Sequence, residues 1–309
     1  MELSIVIPVF CSEKILKELH EEIKKNLVQI NIEYEIIYVD DASNDNSWQK
    51  IIQIINIDNN TIGIKLNKNY GQHNALFCGI KNSNGKYIVT IDDDLQHPVK
   101  NIKDLITKIK EGYDVVYANP IKIKQHFIRN LFSKGIKNIM QYFMGLNINQ
   151  NIDSFRIFKK DILLDYFDYK NSNINIDVLL SWSTDNFSSI KIEHQKRKKG
   201  KSGYSIKKLY NHAIKMITGF SNIPLRISSF LGFIFAIFGF FILVYVLTTY
   251  FILGSPVRGF PFIASLISIF SGVQLLTLGI IGEYLSTIHS NSISKPVFKI
   301  KEIINNTKS

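Results

Sequence analysis

Cysteine is nearly absent from this 309-residue chain. Cys11 and Cys78 are its two cysteines, too few and too far apart for a disulfide framework or a zinc site. We therefore expect a reducing compartment, with both thiols as small core residues. The N-terminus lacks the basic region and the small-residue cleavage site of a signal peptide. These absences predict that the first domain stays on the cytoplasmic side.

Acidic residues are outnumbered as well. The 26 Asp and Glu residues face 37 Lys and Arg residues, which gives a formal net charge of +11. Such a balance favours an anionic partner, and by itself it does not choose among nucleic acid, lipid headgroups and phosphate-bearing substrates. The basic residues gather near the apolar segments and no nucleic-acid-binding motif is present, so we predict no nucleic-acid partner.

Two apolar segments, 225–253 and 260–288, each exceed the roughly 20 residues needed to cross a bilayer. The alternative is a buried hairpin of a soluble protein. The connector 254–259 carries one positive charge, whereas the flanks of the hairpin carry many. The positive-inside rule then predicts a multi-pass protein of the inner (plasma) membrane with both termini in the cytoplasm.

The first half of the chain alternates short apolar runs with segments of helical periodicity. The predicted strands are 3–10, 34–39, 61–66, 87–91 and 114–118, and the predicted helices are 12–28, 47–55, one from about 71, and 98–111. This order is typical of an α/β domain with a mostly parallel sheet covered on both faces. Ligands of such sheets bind beyond the carboxyl ends of the strands.

Carboxylates follow two of these strands directly. Asp40 and Asp41 come after the second strand, and Asp92, Asp93 and Asp94 come after the fourth. In an extended segment Asp92, Asp94 and Gln96 share one side, and such oxygen donors suit Mg²⁺ or Mn²⁺. The alternative is helix capping by Asp94 or His97 ahead of Pro98, which explains one carboxylate but not three.

Several motifs together resemble the family-2 glycosyltransferases with a GT-A fold. They read IPVFCSE, VDDASNDNS, LNKNYGQHNALFCGI, IDDDLQHP and SFRIF. The later segment GVQLLTLGIIGEYLSTI resembles the second membrane helix of the polyprenyl-phosphate glycosyltransferases, the group similar to dolichyl-phosphate mannose synthase. Each motif is weak evidence alone, but their order and spacing together are strong evidence. The similarity runs from Ser4 to about Pro296.

The resemblance implies a donor site for a nucleotide sugar, usually a UDP-sugar. The residues that match the nucleoside and diphosphate positions are Pro8, Phe10, Glu13, Asp40, Asp41 and Asp92. Asp92, Asp94 and Gln96 would hold the metal on the diphosphate, where it neutralises charge on the leaving group. For Glu13, a charge in the first turn of a helix remains an alternative.

The resemblance also implies a polyprenyl phosphate acceptor, such as undecaprenyl phosphate, and inversion at the sugar. Arg129, Arg156, Arg197 and Lys201 match the basic positions that would bind its phosphate. A solvated charge run is the alternative for 196–199. Asp153 corresponds to the acidic residue usually assigned as the base, and it either moves a proton or orients the substrate.

Two departures from the family pattern reduce the expected phosphate-binding charge. The chain has Asn119 and Pro120 where the family often has a basic residue, and Gly203 where it often has Lys. Two competing functions are a transferase acting on a polysaccharide and a non-catalytic nucleotide-binding scaffold. Against the first function, segment 195–199 of this chain lacks the tryptophan of the QxxRW motif. Against the second, the acidic set is intact.

The predicted organisation has four parts. They are a cytoplasmic GT-A domain at 1–204, an amphipathic juxtamembrane helix at 205–224, a transmembrane hairpin at 225–288 and a cytoplasmic tail at 289–309. The juxtamembrane segment suits the membrane interface, with packing against the catalytic domain as the alternative. The family precedent also allows a homo-oligomer.

Overall fold

The computed structural model describes residues 1–120, 153–169, 174–193, 223–253, 259–293 and 295–306. These residues form two compact units. The first unit contains the described residues from 1 to 193 together with 295–306, and the second contains the two long helices. The predicted juxtamembrane helix lies outside the described residues, apart from its last two positions.

The first unit alternates strands and helices, as predicted for the first half of the chain. Its strands are β1 (Leu3–Val9), β2 (Tyr34–Asp40), β3 (Thr61–Leu66), β4 (Tyr87–Thr90), β5 (Val115–Pro120), β6 (Arg156–Lys159), β7 (Phe187–Ile192) and β8 (Ile300–Asn305). Its α-helices are α1 (Leu16–Val28), α2 (Ser47–Ile57), α3 (Gln72–Lys81), α4 (Ile102–Ile109) and α5 (Ile176–Ser183), with 3-10 segments at Val99–Asn101 and Lys160–Tyr166.

All eight strands form one sheet in the order β7-β5-β6-β4-β1-β2-β3-β8. Its centre is parallel, because β1 pairs with both β2 and β4, and β2 pairs with β3. β6 and β8 run antiparallel to their neighbours. The fold is therefore the predicted α/β architecture, with a mixed sheet. β8 was not predicted, and it brings the C-terminal segment back to the edge of the sheet.

Helices cover both faces of the sheet. Alternate strand residues point to opposite sides, so Ile5 and Ile7 pack against α1 and α2 while Val6 packs against α3. A Cβ atom at Gly79 would overlap Val6. Glycine at that position lets α3 lie close against β1, which fixes the start of α3 near the carboxyl ends of the strands.

The second unit contains α6 (Ile223–Leu253) and α7 (Phe260–Ser292). Both are long and apolar enough to cross a membrane, over Pro224–Ile242 and Ile269–His289. Large apolar side chains on both helices are exposed, among them Phe230 and Leu275. A buried hairpin of a soluble protein does not fit this exposure.

A buried ion pair joins β6 to α5 in the first unit. The Arg156 guanidinium is 1% exposed and contacts Oδ1 of Asp177 through Nη1. The Tyr117 hydroxyl donates to the same Oδ1 at 3.0 Å. A charge buried this deeply needs its partner, so the pair ties three elements together.

Replacing Arg156 by Met should destabilise the fold, because it leaves the Asp177 carboxylate buried without its counter-ion. Loss of one partner from a buried pair costs about 3–5 kcal/mol, so the unfolding midpoint of the full-length chain should fall by roughly 6 °C or more. Asp177→Leu should act similarly. The double variant should recover most of the loss, apart from about 1 kcal/mol for the Tyr117 hydroxyl. Thermal unfolding in detergent measures all three variants.

This structural role would be contradicted if Arg156→Met were as stable as the wild type and bound a polyprenyl phosphate weakly. That result would favour the phosphate contact predicted from the sequence.

Candidate active site

The two predicted acidic clusters lie at the carboxyl ends of β2 and β4, the strands on either side of β1. β1 runs between β2 and β4, with Val9 opposite Asp40. The Asp41 amide donates to the Val9 carbonyl at 2.9 Å, and the Ile91 amide donates to the Val6 carbonyl at 3.3 Å. The loops that follow these three strands therefore meet at one edge of the sheet, where α/β proteins bind ligands.

The residues after β4 form a turn, and the expected extended conformation is wrong. Asp93 and Asp94 lie in the turn, and Leu95 has a positive φ of 58°. Asp92 accepts hydrogen bonds from Gln72 Nε2 at 2.6 Å and Ser154 Oγ at 2.7 Å. The tight turn directs consecutive carboxylates to different partners.

Asp93 faces the loop after β1. It accepts a hydrogen bond from the Phe10 amide at 3.2 Å and another from the Ser12 hydroxyl. This carboxylate therefore links the acidic turn to the first loop, a role that the sequence analysis did not assign to it.

Asp94 interacts with its own loop. The Gln96 amide donates to Oδ1 at 3.1 Å, and Gln96 Nε2 donates to Oδ2 at 2.6 Å. The following 3-10 turn begins after Pro98 without a side-chain cap, so the capping alternative is wrong.

The donor set of Asp92, Asp94 and Gln96 fits a hard cation, because carboxylate and amide oxygens are the ligands Mg²⁺ prefers. Within the described part of the chain, no group of three or more His, Cys, Asp or Glu side chains is placed as a metal cage. A magnesium-like ion commonly uses one or two carboxylates with waters and substrate phosphates, which suits this smaller set.

Asp153 lies beside the acidic turn. Its Oδ1 accepts a hydrogen bond from the Ser154 amide at 2.7 Å and lies 3.5 Å from His97 Nε2. Ser154 also donates to Asp92, so the two carboxylates share one serine. His97 and Ser154 were not among the predicted site residues. The HP dipeptide after the acidic run is the sequence signal that could have indicated His97.

The first loop contributes an aromatic face. Pro8 is buried in β1, while the Phe10 side chain is 48% exposed beside the acidic turn. Cys11 is exposed with a positive φ of 56°, so its predicted place in the core is wrong, whereas Cys78 is buried. Glu13 precedes α1, which rules out the first-turn alternative, and it accepts hydrogen bonds at 3.3 Å from the amide and side chain of Asn46.

Asp40 and Asp41 differ in their surroundings. Asp41 accepts hydrogen bonds from the amides of Tyr70 at 2.7 Å and Gly71 at 2.8 Å, which anchors the start of α3. Asp40 accepts one from the Ser43 amide at 3.2 Å, and its buried Oδ2 has no hydrogen-bond partner among the described residues. Both oxygens of Asp41 are thus engaged, whereas Asp40 retains one buried acceptor that the described residues leave unused.

Among the described residues, burial outweighs the hydrogen bonds donated to four carboxylates of the acidic site. Burial raises the pKa of Asp93 to about 6, and burial also raises the pKa values of Asp40 and Asp41. The pKa of Asp92 rises because of burial, with added repulsion from Asp94 and Asp153. Each shift means that ionisation is disfavoured. A bound cation would relieve this cost.

The predicted acceptor side is described in part. Arg156 is buried and forms an ion pair with Asp177. Its contact with a lipid phosphate stays a prediction. Arg129, Arg197 and Lys201 lie outside the described residues, and their roles stay predictions as well.

Comparison with known proteins agrees with this architecture. Residues 4–167 match the family model described as Glycosyl transferase family 2. The undecaprenyl-phosphate 4-deoxy-4-formamido-L-arabinose transferase of Proteus mirabilis is 31% identical over 306 residues, covering 98% of this chain and 94% of the relative. The enzyme of the same name from Photorhabdus laumondii is 30% identical over 310 residues, covering 99% and 95%.

A solved structure shows a similar fold. S. aureus TarS 1–349 in complex with UDP-GlcNAc superposes with a TM-score of 0.50 at 18% identity, covering 71% of this chain and 66% of that chain. The family match spans more than half of the chain, and the two relatives extend it over both membrane-length helices. This chain belongs to glycosyl transferase family 2 and has the GT-A fold.

Proposed function

We propose that the chain transfers a sugar from a UDP-sugar to a polyprenyl phosphate, undecaprenyl phosphate in bacteria, with inversion at the sugar. The observation that carries the proposal is the similarity over 98% of the chain to a transferase named for undecaprenyl phosphate. Because it includes the two long apolar helices as well as the catalytic sheet, the similarity extends to the parts that would meet a lipid.

The donor binds at the carboxyl ends of β1, β2 and β4. Phe10 offers an exposed ring to the base. The free Oδ2 of Asp40 accepts a hydrogen bond from a base imide or a ribose hydroxyl. UDP-GlcNAc in the TarS complex supports a uridine diphosphate as the carrier.

The diphosphate lies over the acidic turn. Asp92, Asp94 and Gln96 would hold Mg²⁺ or Mn²⁺, which supplies positive charge to the departing diphosphate. Burial raises the pKa of Asp92, and a cation at this site would stabilise its ionised carboxylate. The hydrogen bond from Ser12 to Asp93 links the turn to the first loop, which stabilises the positions of the metal-binding carboxylates.

The reaction is a single displacement. An oxygen of the acceptor phosphate forms a bond to the anomeric carbon while the bond from that carbon to the UDP oxygen breaks, and UDP leaves. A phosphate monoester has a second pKa near 6 and is largely deprotonated at neutral pH. Asp153 therefore acts mainly by orienting the acceptor, which Arg129, Arg197 and Lys201 would bind.

The membrane supplies the acceptor. The exposed apolar side chains of α6 and α7 suit lipid contact, and the charge of the flanking segments supports a cytoplasmic position for both termini. A nucleotide sugar made in the cytoplasm then reaches the site from the same side.

The direct test is transfer of labelled sugar from a panel of UDP-sugars to undecaprenyl phosphate by membranes that contain the full-length chain. The panel should include the 4-deoxy-4-formamido-L-arabinose donor, because the relatives are named for that sugar. We expect one sugar to enter the lipid fraction. If the folded chain binds UDP and yields no lipid product from any donor, a polysaccharide acceptor or a non-catalytic role replaces this proposal.

Removal of the metal should abolish transfer. With EDTA present, or with Asp94→Asn, we expect the rate to fall at least about 100-fold, because several kcal/mol of charge stabilisation is lost. Added Mg²⁺ or Mn²⁺ should restore the chelated wild type. Asp104→Asn is the matched control and should leave the rate unchanged. Asp104 accepts a hydrogen bond from Asn101 at the start of α4, and the substitution removes its charge. Full activity in EDTA would contradict the metal role.

A further inference from the structure

His97 is buried between Asp92 and Asp153. In the proposed reaction, Asp92 acts on the donor side and Asp153 on the acceptor side. Its side chain is 6% exposed. The ring packs on Phe155, with centroids 5.4 Å apart. Nε2 lies 3.4 Å from Ser154 Oγ, 3.5 Å from Asp153 Oδ1 and 4.0 Å from Asp92 Oδ2. A single nitrogen atom thus faces three oxygen atoms from two separate chain segments.

The chemistry of those oxygens decides which group donates. An ionised carboxylate accepts hydrogen bonds only, and a serine hydroxyl has one proton. Ser154 places its proton on Asp92 Oδ2, the shortest of its contacts at 2.7 Å. The remaining contacts of Nε2, to Ser154 Oγ and Asp153 Oδ1, then need a proton on Nε2. His97 is the donor in this cluster.

The cluster joins two parts of the sheet. His97 and Asp92 belong to the loop after β4, whereas Asp153 and Ser154 come directly before β6. β4 and β6 are antiparallel neighbours, with Thr90 opposite Arg156. Thr90 Oγ1 also donates to the Ser154 carbonyl at 2.6 Å, which fixes the backbone beside Asp153. His97 fixes the Asp153 side chain from the opposite side of the junction.

We propose that His97 is a positioning residue that sets Asp153 relative to Asp92. This inference rests on the proposed function, in which Asp92 acts at the diphosphate of the donor and Asp153 orients the acceptor phosphate. His97 therefore controls the alignment of the attacking oxygen with the departing one. A positioning error of about 1 Å can lower a rate about 100-fold.

The test compares His97→Leu with His97→Gln in the full-length enzyme. Leucine fills the space but donates nothing, whereas glutamine keeps an N–H donor near the position of Nε2. We expect His97→Leu to lower kcat by about 10- to 100-fold with the KM for the UDP-sugar changed less than about twofold. His97→Gln should recover most of the rate. A glutamine variant as slow as the leucine variant would overturn the proposal.

A double variant shows whether His97 acts through Asp153. If it does, His97→Leu should add less than about threefold to the loss already caused by Asp153→Asn, because residues that act as a unit are not additive. Independent effects that multiply would overturn the proposal.

His20 supplies the matched control. It is a buried histidine whose Nε2 lies 3.2 Å from Asp58 Oδ2, and it belongs to α1, away from the acidic turn. His20→Leu should lower the unfolding temperature while leaving kcat per folded molecule unchanged. If His97→Leu gives the same pattern, its role is structural and the proposal fails.

Crystal structures of the full chain separate this inference from the proposed function, since they need no turnover. In His97→Leu, the Asp153 carboxylate should move by more than about 1 Å, while Asp92 keeps its hydrogen bond from Ser154. An unmoved Asp153 overturns the positioning role. A wild type that makes no lipid product overturns the proposed function alone.

Discussion

The parallel pairing of β1 with β2 and β4 is the constraint on which the site depends. Parallel neighbours end at the same edge of a sheet, so the first loop, Asp40 and the turn at Asp92 have to meet there. Helices cover both faces of these strands with apolar side chains. Polar residues such as Asp40 and Asp92 are therefore found at the strand ends. Burial at this edge makes the carboxylate charges costly, and it raises the pKa values of Asp40 and Asp92.

The chain treats its buried charges in two ways. Arg156 and Asp177 compensate each other in the core, where the pair contributes order but is not exposed to a substrate. In the acidic turn, burial outweighs the hydrogen bonds from the described residues and raises the pKa values of Asp92 and Asp93. Stability alone would favour neutral residues here. The carboxylates make sense when a cation and a diphosphate complete the site.

Much of the fold could be predicted from the sequence because β1 to β5 are short apolar runs with helical periodicity between them. β6, β7 and β8 could not be predicted, since they are short, and their partners are set by tertiary packing rather than by local pattern. The acidic clusters were placed correctly at the strand ends. The turn at Asp93 and Asp94 was missed because its positive φ falls on Leu95, a residue that gives no turn signal.

Side-chain partners were harder to predict than positions. A motif arginine such as Arg156 looks the same in sequence whether it meets a phosphate or a buried Asp177, because the partner lies 21 residues away in another element. His97 has the same ambiguity. Its environment is created by β4 and β6 lying side by side, which no local pattern reports. Residues that link two strand ends are therefore the ones a sequence conceals best.

The C-terminal strand gives the fold a second connection to its apolar hairpin. The chain enters α6 at Ile223 and leaves α7 at Ser292, and eight residues later it adds β8 to the edge of the catalytic sheet. β8 pairs with β3, which would otherwise be an exposed edge. Residues 300–305 therefore belong to the sheet that carries the acidic turn, although the two long helices separate them from it in sequence.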